Sequence, residues 1–314
     1  MKLVPLGRTG VEVSLAGLGC GGHSRLGMAR GASKDEAAAI VRRALDLGVT
    51  FIDTAQAYGT EEAVALGIAG RRAEVFLSTK SHAGRREGQT AAEAAADLAA
   101  ALDGCLRRLA TDRIDLFHLH GVALSEWPHC RDVLIPELER ARAAGKIRFI
   151  GLTEVFGRDP GHAMLPQALA DPRIDVVMVG FNLLNPCARE RVLPLTRAQG
   201  VGTLVMFAVR RALSAPAALR AAVAELIAGG QVDGDEVDRD DPLGFLEEAG
   251  VGSTVEAAYR FCAHESGVDV VLTGTGDGAH LEANLAAIQA PPLTPAVQAR
   301  LARLFGKVDS LSGN

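Results

Sequence analysis

The chain has 314 residues, 48% of them hydrophobic, and a formal net charge of −5. That is enough apolar material for one large α/β domain or two small ones. The acidic balance and an aromatic content of 4% argue against a nucleic-acid surface, and no apolar run approaches the roughly 18 residues of a membrane span.

The opening MKLVPLGRTG has no apolar run of signal-peptide length, so export is not expected and the cytoplasm is the expected compartment. Five widely spaced cysteines (Cys20, Cys105, Cys130, Cys187, Cys262) without a CxxC pair read as reduced thiols, neither a disulfide framework nor a zinc site. LVPLGRTGVEVS reads as a short β-hairpin turning at Thr9-Gly10. Eight β-type runs follow, at 14–19, 49–53, 74–80, 113–120, 147–153, 174–180, 202–207 and 268–274. Between them lie helical patterns at 34–48, 61–70, 90–109, 131–145, 188–198, 214–228 and 253–265.

This alternation predicts a parallel sheet, and eight units in about 275 residues fit an α/β fold of the (β/α)8 TIM-barrel type. The N-terminal β-hairpin would cap the barrel bottom, and residues 1–314 would form a single domain. A doubly wound open sheet is the rival, but Gly19-Cys20-Gly21-Gly22 after the first strand is not its GxGxxG turn. Residues 209–252 are expected to form a loop and helix excursion near the cofactor edge, acidic and glycine-rich from 229 onward.

In such a barrel the groups that do chemistry stand at the carboxyl ends of the strands. Asp53, Lys80 and His120 end the second, third and fourth runs, and Tyr58 lies five residues beyond Asp53. A tyrosine hydroxyl titrates near pH ~10, and a neighbouring ammonium is expected to lower that value. Asp53 would keep Lys80 charged, Tyr58 would exchange a proton with a carbonyl oxygen, and His120 would hold that oxygen. No side chain supplies hydride, so this chemistry implies a nicotinamide cofactor, NADP(H) or NAD(H). Taken singly, each residue has a plainer explanation: a turn cap, a loop aromatic, a solvated strand end, a core histidine.

FIDTAQAYGTEE, VFLSTK, RIDLFHLHG, GKIRFIGLTE and VVLTGTGDGAHLEANLAAI, together with the opening LGRTGVEVSLAGLGCGG, resemble the aldo-keto reductase superfamily over nearly the whole chain. The resemblance implies a cofactor bound across the barrel top and makes Asp53, Tyr58, Lys80 and His120 the catalytic tetrad. It places Gly21 and Gly22 near the nicotinamide and Thr153 with Glu154 at the carboxamide. It puts Gly274, Thr275, Gly276, His280 and Asn284 at the adenosine phosphate.

Several positions depart from the family pattern. Glu154 stands where asparagine is usual, Met178 where glutamine is usual, and Met206, beside Phe207, where an aromatic usually stacks. His280 replaces a phosphate-binding arginine, for which Arg210 and Arg211 are candidate substitutes. NAD and NADP therefore both stay open.

Trp127, in the loop after the fourth strand, is expected either to wall the substrate pocket or to anchor its loop. His118 and His120 form an HxH pair that would serve a metal hydrolase, but that class places it on the first strand, so no metal is expected. The leading expectation is an oxidoreductase interconverting an aldehyde or ketone, sugars included, with its alcohol. The alternative is a nicotinamide-binding regulatory protein with weak turnover. The expected partner is a small-molecule substrate, not nucleic acid or membrane; oligomeric state is left open.

Overall fold

The computed structural model describes residues 1–84 and 86–313. Two short antiparallel strands, β1 (Leu3–Pro5) and β2 (Glu12–Ser14), form the expected hairpin. The turn between them carries a left-handed Gly10 at φ 72°.

Eight parallel strands then close into a barrel. They are β3 (Ala16–Gly19), β4 (Phe51–Asp53), β5 (Phe76–His82), β6 (Ile114–Val122), β7 (Ile147–Glu154), β8 (Val176–Gly180), β9 (Gly202–Met206) and β10 (Val270–Thr273). β10 pairs with both β3 and β9, so no barrel edge is left open and the open-sheet rival is excluded. All eight strands coincide with the apolar runs to within two residues at each end.

Alternation along the strands sorts the side chains. Phe51, Phe76, Leu116, Val176, Leu204 and Val270 fill the lower barrel interior, and the hairpin closes its floor with Leu6 and Val13. The outward residues join a larger cluster with the surrounding helices. Those helices start where capping chemistry permits. Ser33 accepts the Glu36 N–H while the Glu36 carboxylate accepts the Ser33 N–H, at 3.2 and 2.8 Å, opening the helix Lys34–Asp46.

The predicted helix at 188–198 is two pieces, Ala188–Arg191 and Leu193–Gln199, the second beginning with Pro194 in its first turn. A helix at Pro295–Phe305 follows the last α-helix of the barrel and was not among the expected amphipathic stretches. The acidic excursion docks against it: Glu236 pairs with Arg303 at 3.2 Å, and Arg300 lies over the Phe245 ring at 4.2 Å. No helix among the described residues is long and apolar enough to cross a membrane.

Candidate active site

The upper barrel interior turns from apolar to ionic. Asp53 at the end of β4 sits in register with Ser78 of β5, and two residues further on Lys80 points into the same interior. Lys80 is fully buried and donates to Asp53 Oδ1 and Oδ2 at 2.6 Å each and to the Thr54 carbonyl at 2.9 Å. Ser78 donates to Asp53 Oδ1 at 2.8 Å. All three ammonium donations thus find acceptors, as burial of a charge demands. Burial works against the charge on Lys80, but Asp53 and Tyr58 outweigh it, and its pKa lies above the ordinary lysine value.

Tyr58 closes a short 3-10 turn, Gln56–Tyr58, on the loop after β4. That loop is braced by a 2.8 Å hydrogen bond between the hydroxyls of Thr54 and Thr60 and by the Lys80 donation to Thr54. The Tyr58 ring occupies space directly over Gly21, where a Cβ would overlap it, so a side chain at 21 and the ring exclude each other. Lys80 Nζ lies 5.3 Å from the ring centroid.

The electrostatic outcome corrects the sequence-based expectation. Burial raises the Tyr58 pKa, Lys80 lowers it, Asp53 offsets part of Lys80, and the net direction is up. The phenol is thus a protonated acid at neutral pH.

His120 meets Tyr58 edge to face, ring centroids 5.6 Å apart. Its ring also stacks on His82 at 5.1 Å. Burial, Lys80 and His82 lower its pKa to about 3, so at neutral pH it is an uncharged imidazole with one N–H to give. His118 lies one layer deeper, in register with Lys80 and fully buried, its pKa pushed well down by burial and Lys80. Among the described residues no three His, Cys, Asp or Glu side chains converge to hold a metal.

A cavity of about 1420 Å³ opens over these groups. Asp53, Tyr58 and His120 line it, as do Gly21, Gly22, Thr153, Glu154, Met178, Met206, Phe207, Arg210, Gly274, Thr275, Gly276, His280 and Asn284. Lys80 lies beneath the surface, reaching the cavity through Tyr58 and Asp53. Thr153 accepts the Gly121 N–H at 2.8 Å where the β6–β7 register shifts. Asn284 donates to the Thr273 hydroxyl at 3.0 Å, and Tyr259 shares a 2.8 Å hydrogen bond with that hydroxyl. Of the 209–252 excursion, Val209, Arg210, Arg211 and Ser214 reach the cavity; nothing from 229 onward does.

Trp127 does not line the cavity: it opens the short helix Trp127–His129, is 4% exposed and packs in the outer core, so its reading as a pocket wall is corrected in favour of a packing anchor.

Glu154 has an unforeseen partner. Its two oxygens lie 3.0 and 2.9 Å from Nδ1 of His162, and Oε1 accepts the Gly180 N–H at 2.7 Å. His162 takes a left-handed backbone at φ 60° and is fully buried. Burial opposes its charge, but Cys187 and Glu154 raise its pKa to about 9. Its ring stacks on Phe156 at 5.3 Å, and Phe156 fits over Gly180, where a Cβ would overlap it. Phe156 lies 6.0 Å from Phe207, also left-handed at φ 68°, and the Arg210 guanidinium covers Phe207 at 3.8 Å. His162 and Phe156 carry no motif and sit in the loop after β7. The only sequence signal was the departure at Glu154, since a buried carboxylate requires a partner.

The sequence matches the family described as "Aldo/keto reductase family" over residues 17–304. It is 29% identical to aldo-keto reductase YhdN of Bacillus subtilis (strain 168), across 90% of this chain and 87% of that protein. It is 27% identical to the uncharacterized oxidoreductase YqkF of the same organism, across 94% and 93%. The fold is similar to the holo form of aldo-keto reductase AKR11C1 from Bacillus halodurans, with a TM-score of 0.73, 25% identity, and coverage of 98% and 97%.

Proposed function

Because the chain belongs to the aldo/keto reductase family, we propose that it interconverts an aldehyde or ketone with the corresponding alcohol, using NADP(H) or NAD(H) and Tyr58 as the acid and base. The observation that carries this reading is the buried Lys80–Asp53 pair beneath a phenol that faces the cavity. In reduction Tyr58 gives its proton to the carbonyl oxygen, and Lys80 stabilises the phenolate left behind. His120, uncharged, donates an N–H to the same oxygen and fixes the face presented to the barrel. In oxidation the phenolate takes the proton back. Asp53 touches neither reactant; it keeps the ammonium charged and in place.

The cavity fits a nicotinamide cofactor beside a small substrate. Its volume of about 1420 Å³ exceeds the roughly 300–1,000 Å³ of a single small-ligand site. Gly274 and Gly276 line one end of the cavity and pack too closely on the Gly19 and Gly27 backbones to carry a side chain, so backbone groups face a phosphate there. Thr275, His280 and Asn284 would hold that end, and Gly21, Gly22, Thr153, Glu154, Met178, Met206 and Phe207 would surround the nicotinamide. A bound nicotinamide supplies the hydride for reduction and accepts it in oxidation. All five thiols are buried and unpaired, which supports the cytoplasm as the place of work.

A nicotinamide-binding protein with weak turnover is the second reading. Glu154 favours it, because both carboxylate oxygens face His162 and one also takes the Gly180 N–H. The test is a screen of aldehydes, ketones and sugars with each reduced cofactor, on the wild type and Tyr58→Phe. The expected result is turnover that Tyr58→Phe lowers by about a hundredfold or more, with cofactor Kd little changed. Equal turnover in the two proteins would sink the acid role. Cofactor binding with turnover of none of them would favour the second reading.

A further inference from the structure

Many arginines of this protein are paired with carboxylates: Arg71 with Asp46, Arg173 with Asp171, Arg189 with Glu265. Arg210 is built differently. It lines the cavity half-buried, with its Nε–H buried and without an acceptor among the described residues. Burial works against its charge, and the group that works the other way is the Tyr58 hydroxyl, not a carboxylate. A guanidinium donor left unmet in a half-buried setting is costly, and a ligand entering the cavity can complete it.

The cation is also held in place. Its plane covers Phe207 at 3.8 Å, Phe207 leans on Phe156, and Phe156 stacks on His162, which Glu154 grips from below. Two members of that stack, Phe207 and His162, are left-handed non-glycine residues. Such backbone is strained outside glycine and persists only where the surroundings impose it. The stack therefore fixes one wall of the cavity, and the wall ends in a planar cation without a carboxylate partner among the described residues. Arg210 lines the same cavity as Tyr58 and His120, so one ligand can meet all three.

Building on the carbonyl-reductase reading, we propose that Arg210 is the anchor for an anionic substrate: the carbonyl compounds this protein takes carry a carboxylate, held by the guanidinium while their carbonyl meets Tyr58 and His120. Arginine suits this role because its fork matches two carboxylate oxygens and its face stays on the aromatic ring. The same chemistry is offered by the phosphates of a cofactor, and the test separates the two sources.

The probes are 4-carboxybenzaldehyde and benzaldehyde, reduced by the wild type, Arg210→Met and Arg210→Lys, with cofactor Kd measured in parallel. Benzoate is also titrated into each protein with cofactor bound, with benzyl alcohol as the uncharged control. The wild type is expected to prefer the carboxylate-bearing aldehyde and to bind benzoate saturably. Arg210→Met should lower that preference by about tenfold to a hundredfold, largely through KM, and weaken benzoate by a similar factor. Arg210→Lys should recover part of both.

An unchanged preference in Arg210→Met overturns the proposal, as does a wild type that fails to bind benzoate or an Arg210→Met that binds it as tightly as the wild type. An unchanged preference together with a weakened cofactor Kd assigns the cation to the cofactor phosphates. The benzoate titration needs no turnover, so it decides on Arg210 even if neither aldehyde is reduced and the carbonyl-reductase reading fails.

Discussion

Glu154 and His162 face one another in full burial, the imidazole Nδ1 within 3.0 Å of both carboxylate oxygens, at the point where β7 leaves the barrel. The pair ties the β7 end to β8 through the Gly180 N–H and carries the aromatic stack above it. Removing one member leaves the other unpaired in the interior. Glu154→Ala is expected to cost about 3–5 kcal/mol, read by urea unfolding, and Glu154→Gln, which still accepts from Gly180, should cost less. Equal losses in the two variants would contradict this.

The same pair makes stability depend on alkaline pH. His162 titrates near 9 in the folded chain and near ~6.5 when unfolded. Its contribution is therefore full below about pH 6.5 and is lost as pH rises through 9. Unfolding free energy measured from pH 6 to 10 should fall across that window, and His162→Phe should flatten the fall.

His120 acts in the opposite direction. Its folded pKa of about 3 lies below the unfolded value, so its contribution is present above about pH 6.5 and lost as pH drops through 3. His120→Asn should be less acid-sensitive than the wild type in urea titrations between pH 6.5 and 4. A steeper acid dependence in the variant would rule out a neutral imidazole.

Lys80→Met strands Asp53, which is 3% exposed, without its ammonium. A loss of about 3–5 kcal/mol is expected, together with loss of carbonyl reduction. The double variant with Asp53→Leu should recover stability without activity, which separates the structural from the chemical share. If the double variant is no more stable than Lys80→Met alone, the stranded charge is not the cause.

Gly21→Ala tests the seat of the phenol. The backbone at 21 is not left-handed, so the added methyl acts through the Tyr58 ring alone. Turnover should fall by about a hundredfold with thermal midpoint nearly unchanged; wild-type turnover in this variant would show that the ring need not sit there.

The strand ends were legible because the barrel interior needs apolar layers below and tolerates polar groups only at the top. Asp53 closes β4 as expected, whereas β5 and β6 run two residues past Lys80 and His120, which reach the barrel mouth by strand alternation and not as strand ends. The direction of the Tyr58 shift was not legible. Lys80 is visible as a charge in the sequence, while the burial that outweighs it comes from Gly21, His120 and the cavity walls. Trp127 shows a similar limit: it follows β6 as expected, but it opens a short helix, Trp127–His129, whose packing against the outer core sets the side-chain direction. His162 and Phe156 escaped because they sit in a loop whose left-handed position is taken by His162 itself and not by the neighbouring Gly161.

The two cations of the site also stand differently toward the surrounding solution. Dissolved ions screen exposed charges over roughly 8 Å at physiological ionic strength and reach sealed ones far less. Lys80 has no exposed surface, whereas Arg210 opens to the cavity. Added chloride or sulfate can thus compete at the wall while leaving the proton donor untouched. On the proposed reading, the proton chemistry is insulated from the medium while the choice of substrate stays open to it.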